Sequence, residues 1–369
     1  MRIKTITCHR VYNHGAALQA WALATYLKRQ GHDVEIIDYR PDYLRGHYEL
    51  RVHNPKFDKP IVRQFYLVAK YWSYKQGLKR KAAFDTFDEK FIAPLVTEQC
   101  YLSAEELKNN PPQANVYIAG SDQIWNTKFK NGTDPSFYLD FGNQKTKRLS
   151  YAASFATQEL RLGTHDFVNS KLMGIDAISV REPSGVKLLN NMGYEGTLVC
   201  DPVFLIDEAT WVSQIATKDG DGEKYVLVYD FENSKDIQSV VKRIAKHRGW
   251  KIYSIGPYPL RYVDKDYVNY GPDTFVGLIK NAACVVSNSF HATAFSFIFK
   301  RNLLVVKRAD GLNTRMQDLL GRYGIIDRLV DGNTSLDILL SPIDYDKLYN
   351  VLQKEIEISK SWLINSLER

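Results

Sequence analysis

Cysteine is sparse in this chain: Cys8, Cys100, Cys200 and Cys284 stand far apart over 369 positions, with no CxxC pair. With no His cluster at ligand spacing beside them, neither a disulfide framework nor a metal site is expected. Three of the four sit in apolar, strand-like runs and read as buried thiols. Long apolar runs are missing as well. No stretch reaches the roughly 18 residues of a membrane-spanning helix. The start, MRIKTITCHRVYNHG, has no uninterrupted apolar core of the kind a secretory signal requires. The expectation is a soluble, cytoplasmic protein in a reducing compartment. Neither GxGxxG nor a Walker A loop occurs, so the common dinucleotide and P-loop signatures are absent. No solenoid-length repeat and no low-complexity tract interrupts the chain.

What is present is an ordinary globular balance, 44% hydrophobic and 25% charged, at a length that suits two domains with sizeable cores. Aromatic residues make up 12%, 23 of them Tyr, which fits a protein that handles sugars. The net charge of +7 is unevenly spread. Between Lys56 and Phe84 lie Lys56, Lys59, Arg63, Lys70, Lys75, Lys79, Arg80 and Lys81 against the single acid Asp58, interleaved with Phe65, Tyr66, Tyr71, Trp72 and Tyr74. Such a surface suits nucleic acid, an anionic membrane or a phosphorylated substrate. It equally suits a solvated helix face beside a core face.

Strand and helix patterns alternate twice over. Ile3–Cys8, a glycine turn, the helix AALQAWALATYLKRQ and the strand Val34–Ile37 form a βαβ opening. Asn115–Ala119, Leu149–Phe155, Ala177–Val180 and Thr197–Cys200 supply further strands, and Arg161–Met173 and Ser184–Met192 supply helices. The polar, glycine-bearing TKDGDGEK at 217–224 reads as a linker, after which the pattern restarts. Tyr225–Tyr229, Lys251–Ile255, Cys284–Asn288 and Leu303–Lys307 read as strands, with helices over Ser234–His247, Asp273–Asn281 and Phe290–Phe299. The fold class predicted is α/β, with two Rossmann-like, doubly wound domains facing a cleft. Residues 1–216 form the first domain, carrying the basic-aromatic insertion at about 43–95, and 225–341 form the second. The final helix, within 342–369, is placed to cross back to the first.

Ligands of open α/β sheets gather beyond the carboxyl ends of strands, so three strand-to-helix junctions stand out. At Asn13-His14-Gly15-Ala16 small residues permit close backbone approach at a helix N-terminus; a bare tight turn is the alternative. At Gly120-Ser121-Asp122-Gln123-Ile124-Trp125-Asn126 hydrogen-bonding side chains and a Trp suit a sugar; a capping loop with a buried Trp is the alternative. At the third, Ser287, Asn288 and Ser289 lead into a helix with His291 in its first turn, where capping groups and N–H donors suit an oxyanion. Arg181, at the end of the strand AISV, and Arg315, opening the helix RMQDLLGRYG, each offer a bidentate fork. Lys307 is a weaker cation of the same kind.

Taken in order, NHGAALQAWAL (13–23), VEIIDYRP (34–41), IAGSDQIWN (118–126), SYAASF (150–155), SVREPSG (179–185), DPVFL (201–205) and SNSFHATAFSFIF (287–299) resemble the polysaccharide pyruvyl transferase family. One departure is Ala292, where the family often has Gly. The resemblance implies a fold like that of GT-B glycosyltransferases and a reaction that moves the pyruvyl group of phosphoenolpyruvate onto a sugar of a bacterial surface polysaccharide or its precursor. It implies His291 as general acid, and Arg181 and Arg315 gripping the donor's carboxylate and phosphate, with Ser287, Asn288, Ser289 and Lys307 on the donor side. Asn13, Gly15, Gln19, Asp122, Gln123, Trp125 and Asn126 would then face the acceptor. Phosphoenolpyruvate is a co-substrate, so no cofactor is expected, nor is nucleic acid. For segment 56–84 the expectation is contact with an anionic membrane at the inner face or with a polyprenyl-diphosphate-linked acceptor. A nucleotide-sugar glycosyltransferase of the same scaffold and a non-catalytic binder of anionic surfaces are the competing readings.

Overall fold

The computed structural model describes residues 1–45, 74–75, 77–308 and 314–368. Thirteen strands form two all-parallel sheets among the described residues. The first holds β1 (Arg2–Ile6), β2 (Asp33–Tyr39), β3 (Val96–Tyr101), β4 (Val116–Ala119), β5 (Lys147–Ala153), β6 (Ala177–Val180) and β7 (Thr197–Leu198), in the order β3-β2-β1-β4-β5-β6-β7. The second holds β8 (Tyr225–Tyr229), β9 (Lys251–Ser254), β10 (Lys265–Asp266), β11 (Cys284–Ser287), β12 (Asn302–Val306) and β13 (Leu329–Val330), in the order β10-β9-β8-β11-β12-β13. Parallel sheets are covered on both faces, which is why VYIA, YVLVY and CVVS are apolar but for the closing Ser287 and buried at every position. Both halves are therefore Rossmann-like, as expected. Each reverses its strand order once, at β1/β4 in the first sheet and at β8/β11 in the second, and such switch points open crevices beyond the carboxyl ends of the strands.

The first helix, His14–Arg29, lies between the halves. Its N-cap Asn13 accepts from the backbone N–H groups of Gly15 and Ala16 at 3.0 and 3.3 Å. Thirteen of its 16 residues are buried, so it has no broad solvent face. Trp21 packs on Trp211, which meets Phe295 edge-on, so one apolar core runs from the first half into the second. The last helix, Tyr345–Glu368, begins against the second half, where the Tyr349 hydroxyl donates to the Phe297 carbonyl at 2.8 Å. It ends against the first, where Ser359 Oγ accepts from the Cys200 N–H and Trp362 meets Tyr151. The helix crosses back, as the sequence led us to expect.

Three strands are absent from the sequence reading. β3 is the polar edge strand VTEQCY, and β10 and β13 are two residues each. Cys8, Cys200 and Cys284 are buried and Cys100 is exposed, all as free thiols. No helix of the described residues is long and apolar enough to cross a membrane, and no group of potential metal ligands occurs among them.

The basic-aromatic segment needs a correction. Lys56, Lys59, Arg63, Lys70, Phe65, Tyr66, Tyr71 and Trp72 lie outside the described residues. In the described part, Arg80 is no surface charge. It is buried, stacks over Phe84, and its Nη1 donates to the Gly256 and Val268 carbonyls of the second half at 2.9 and 3.0 Å. Lys81 pairs with Asp85, and only Lys75 and Lys79 among these basics are exposed. Arg80 serves two carbonyls of the second half, one buried and one half-buried, so its place in the basic run does not make it part of an outward face.

Candidate active site

Both switch points aim their junctions at one place. The β11 junction is rigid: Ser287 Oγ donates to the Tyr229 carbonyl at 2.6 Å and accepts from Ser289 N–H at 3.0 Å. Asn288 Nδ2 donates to Asp230 at 3.0 Å, while its Oδ1 accepts from Phe231 N–H at 3.2 Å. Ser289 caps the helix Phe290–Ile298 by accepting from Ala292 N–H. These side chains, expected to face the donor, are thus committed to holding the β8 and β11 ends together. Their effect is to fix His291 in the first turn of a capped helix.

His291 is buried at 7% exposure and touches the first half on two sides. On one side, a Cβ added to Gly15 would stand 2.0 Å from the His291 Nδ1, so this glycine exists where the imidazole needs its space. On the other, His291 Nε2 is 3.7 Å from Asp201 Oδ2, a fully buried carboxylate just beyond β7. The same oxygen accepts from Arg181 Nη1 at 2.6 Å and from Ser121 Oγ at 3.0 Å. Burial on its own would raise the Asp201 carboxyl, but His291 and Arg181 outweigh it and hold the group below the ordinary carboxylate range. Asp201 is an anion at neutral pH.

Arg181 comes from the end of β6 and lies 4.4 Å over the Phe290 ring, so it bridges the halves. It is buried, and its Nε and Nη2 donate to no acceptor at hydrogen-bond distance among the described residues. Asp122 and Glu182 stand at 3.6 and 3.8 Å, close enough to balance charge. Glu182 is held by its Oε1, which accepts from Ser154 Oγ and Ala156 N–H, and it turns Oε2 toward Arg181. A guanidinium with Nη1 anchored and the nitrogens Nε and Nη2 still able to donate, beside an imidazole, is equipped to hold a small oxyanion. Backbone strain collects here as well: Asp122, Ala152 and Ala156 all take positive φ, of 75°, 53° and 55°.

The structure separates the other expected residues. Asn13 caps the first helix, and Gly15 lies against His291 and not on an acceptor surface. Gln19 is enclosed, its Nε2 donating to Thr7 Oγ1 and the Ala16 carbonyl. Trp125 is no stacking platform: it is fully buried, parallel to Tyr138 at 5.4 Å, and its Nε1 donates to the Phe137 carbonyl at 2.9 Å. The loop is thus a capping loop with a buried Trp. Asn126 is likewise enclosed and donates to Gln123 Oε1, while Asp122 reaches the cluster at 3.6 Å from Arg181, beside Ser121. Lys307 is exposed just beyond β12, near enough to Asp331 to help hold its carboxyl below the ordinary range. Arg315 lies in the opening turn of the helix Thr314–Arg322, and its side chain is outside the described residues. Trp125→Ala is accordingly expected to cost about 3–5 kcal/mol of stability, as for a core Trp truncation, read as a lower denaturant midpoint. An unchanged midpoint with a raised acceptor KM would restore it to the acceptor side.

Asp201 is the member of the cluster to which sequence reading gave no role. It opened the quoted motif DPVFL, where Asp before Pro reads as a turn cap, and it does cap Val203 N–H. His14 is another. Fully buried and flat against Phe275, it meets the Tyr229 hydroxyl at 3.1 Å, and burial, reinforced by Arg80, pushes its imidazole well below the usual range. It is a neutral bridge between halves. Nearby, beyond the ends of β1 and β2, a cavity of about 410 Å³ is lined by Arg10, Tyr12, Arg40, Lys81, Phe84 and Asp88, with Ala17 of the first helix in its wall. Its polar side chains and aromatic rings are of the kinds that meet sugars.

The family model for polysaccharide pyruvyl transferase matches residues 13–309. No curated protein gives a significant sequence match. Among solved structures the chain is similar to the UDP-GlcNAc 2-epimerase of Neisseria meningitidis bound to UDP-GlcNAc, at TM-score 0.53 and 12% identity, over 100% of this chain and 99% of that one. It is also similar to an E. coli structure described as trehalose-6-phosphate bound with UDP-2-fluoro glucose, at TM-score 0.50 and 10% identity, over 100% and 99%. At these identities the likeness concerns the fold, the two Rossmann-like halves of GT-B glycosyltransferases and epimerases.

Proposed function

The chain belongs to the polysaccharide pyruvyl transferase family, and on that footing we propose that it transfers the pyruvyl group of phosphoenolpyruvate onto a sugar of a surface glycan, closing a cyclic ketal and releasing phosphate. The observation that carries the reading is the buried cluster of His291, Asp201 and Arg181, where the two switch points face each other. The donor is a small, highly charged anion, and a site for it needs a fixed cation and helix N-termini more than a platform for a base and ribose.

The chemistry follows from these groups. Protonated His291 gives its proton to the donor's methylene carbon, the C=C pair forming the new C–H bond and leaving the adjacent carbon oxocarbenium-like. A sugar hydroxyl attacks that carbon, phosphate departs with its bridging electron pair, and a second hydroxyl closes the ketal. Of the two hydroxyl protons, one replaces the proton His291 gave and the other leaves with phosphate. The spare Nε and Nη2 of Arg181 serve the donor's oxygens, and the cavity beyond β1 and β2 serves the acceptor. Peripheral contact with an anionic membrane or a polyprenyl-diphosphate-linked acceptor belongs to the same proposal, carried in the described part by Lys75 and Lys79.

Donor binding tests the reading. Titration calorimetry is expected to show phosphoenolpyruvate binding in the absence of acceptor. UDP, suggested as the control by the nucleotide sugars in the similar folds, is expected to give no heat and no competition. Arg181→Lys keeps the charge beside Asp201 but loses the Nε and Nη2 donors, so phosphoenolpyruvate affinity is expected to drop at least about tenfold. Displacement of phosphoenolpyruvate by UDP would favour a nucleotide-sugar transferase, and an Arg181→Lys protein with wild-type affinity would remove Arg181 from the donor site.

A further inference from the structure

We infer that Asp201 is the positioning residue that keeps His291 charged, and that the first half supplies it across the cleft to an imidazole that belongs to the second. This rests on the reading of His291 as general acid. The electrostatic need is visible in the surroundings of the ring. His291 lies in the first turn of its own helix, and its Nδ1 edge abuts Gly15 in the first turn of another. Two helix N-termini present their positive ends to it, and both disfavour an imidazolium. Arg181, a full cation, stands one carboxylate oxygen away. His14, the residue before Gly15, is neutral and adds nothing.

Against these stands Asp201, its Oδ2 at 3.7 Å from His291 Nε2 and its side chain fully buried. Asp122 and Glu182 reach Arg181 at 3.6 and 3.8 Å and act on the imidazole through it. Ser121 and Val203 N–H hold the carboxylate by its two oxygens, so it cannot swing from the ring. Asp201 itself stays out of the proton transfer. It lets His291 be protonated before the donor arrives, and it holds the ring with Nε2 toward the carboxylate.

The sign of the effect separates this role from a merely structural one. Loss of the Asp201 charge removes the nearest carboxylate to His291 among the described residues and keeps Arg181 and two helix ends beside it, so the imidazolium is lost at lower pH. Removing Arg181 leaves Asp201 unneutralised, so the imidazolium persists to higher pH. The ring carbon resonance of His291, assigned by its absence from His291→Gln, is followed against pH in the full-length, donor-free protein. Asp201→Asn is expected to move its midpoint down, and Arg181→Met to move it up, each by about one pH unit or more. Should Asp201→Asn fail to fold, the upward shift in Arg181→Met still decides. Shifts in the same direction, or none in the variant that folds, would overturn the inference. Since no turnover is read, such a failure would leave pyruvyl transfer standing, while absence of turnover would leave this titration unaffected.

Discussion

Replacing His291 with Gln is expected to lower kcat by about 10²–10⁴-fold, the span lost when a positioned general acid is removed. The fold should survive, because the junction that carries residue 291 is held by Ser287, Asn288 and Ser289 and not by the imidazole. Phosphoenolpyruvate affinity should change far less than turnover. Gln occupies similar space and can donate a hydrogen bond, but it has no proton to deliver. In the wild type, the acid form is lost as pH rises, so kcat falls on the alkaline side; in the variant that limb should vanish. A folded His291→Gln protein with near-normal kcat and the same alkaline limb would place the proton donor elsewhere.

Gly15→Ala is expected to be almost as costly, although by helix propensity alone it should be mildly stabilising, by up to about 1 kcal/mol. Gly15 has no positive φ to protect, and Ala fits the second position of a helix. What the methyl group meets is His291, at 2.0 Å from Nδ1 and 2.2 Å from Cγ. Either the imidazole turns away from Asp201 or the halves part, and displacement of a catalytic group by about 1 Å costs on the order of 10²-fold in rate. The expected result is a folded protein whose helix-propensity gain is offset by the overpacked contact and whose kcat has dropped by roughly that factor. Unchanged kcat in Gly15→Ala would mean that the contact between the first helix and His291 has no part in turnover.

Most of the architecture was legible in the sequence because parallel strands buried on both faces leave uninterrupted apolar runs, and the helices between them carry their own caps. IAGS, SVRE and VVSN each announce a strand that ends in small or polar residues. The strands that went unread had no such signal: VTEQCY is an edge, and two-residue strands have no periodicity to find. The candidate site was legible at its centre. His291 stood out because a helix opening in an apolar run has no packing need for an imidazole. Its partners were harder. Asp201 and Arg181 are brought to it by strand order, and a turn-capping Asp looks the same in sequence whether or not a histidine faces it. Trp125 and Arg80 are the converse case: a side chain's type says what it can bind, while the packing around it decides whether it points to water or to the core.

The central claim is that this cluster transfers pyruvyl groups, and product mass measures that most directly. The wild-type protein is incubated with phosphoenolpyruvate and a panel of synthetic and polyprenyl-diphosphate-linked glycans, and the glycans are then analysed by mass spectrometry. The account predicts that at least one glycan gains the mass of a ketal-linked pyruvyl group, with one phosphate released per addition, and that His291→Gln gives neither at a comparable rate. Transfer of a sugar from a nucleotide donor to the same panel, with no pyruvyl product from phosphoenolpyruvate, would contradict it.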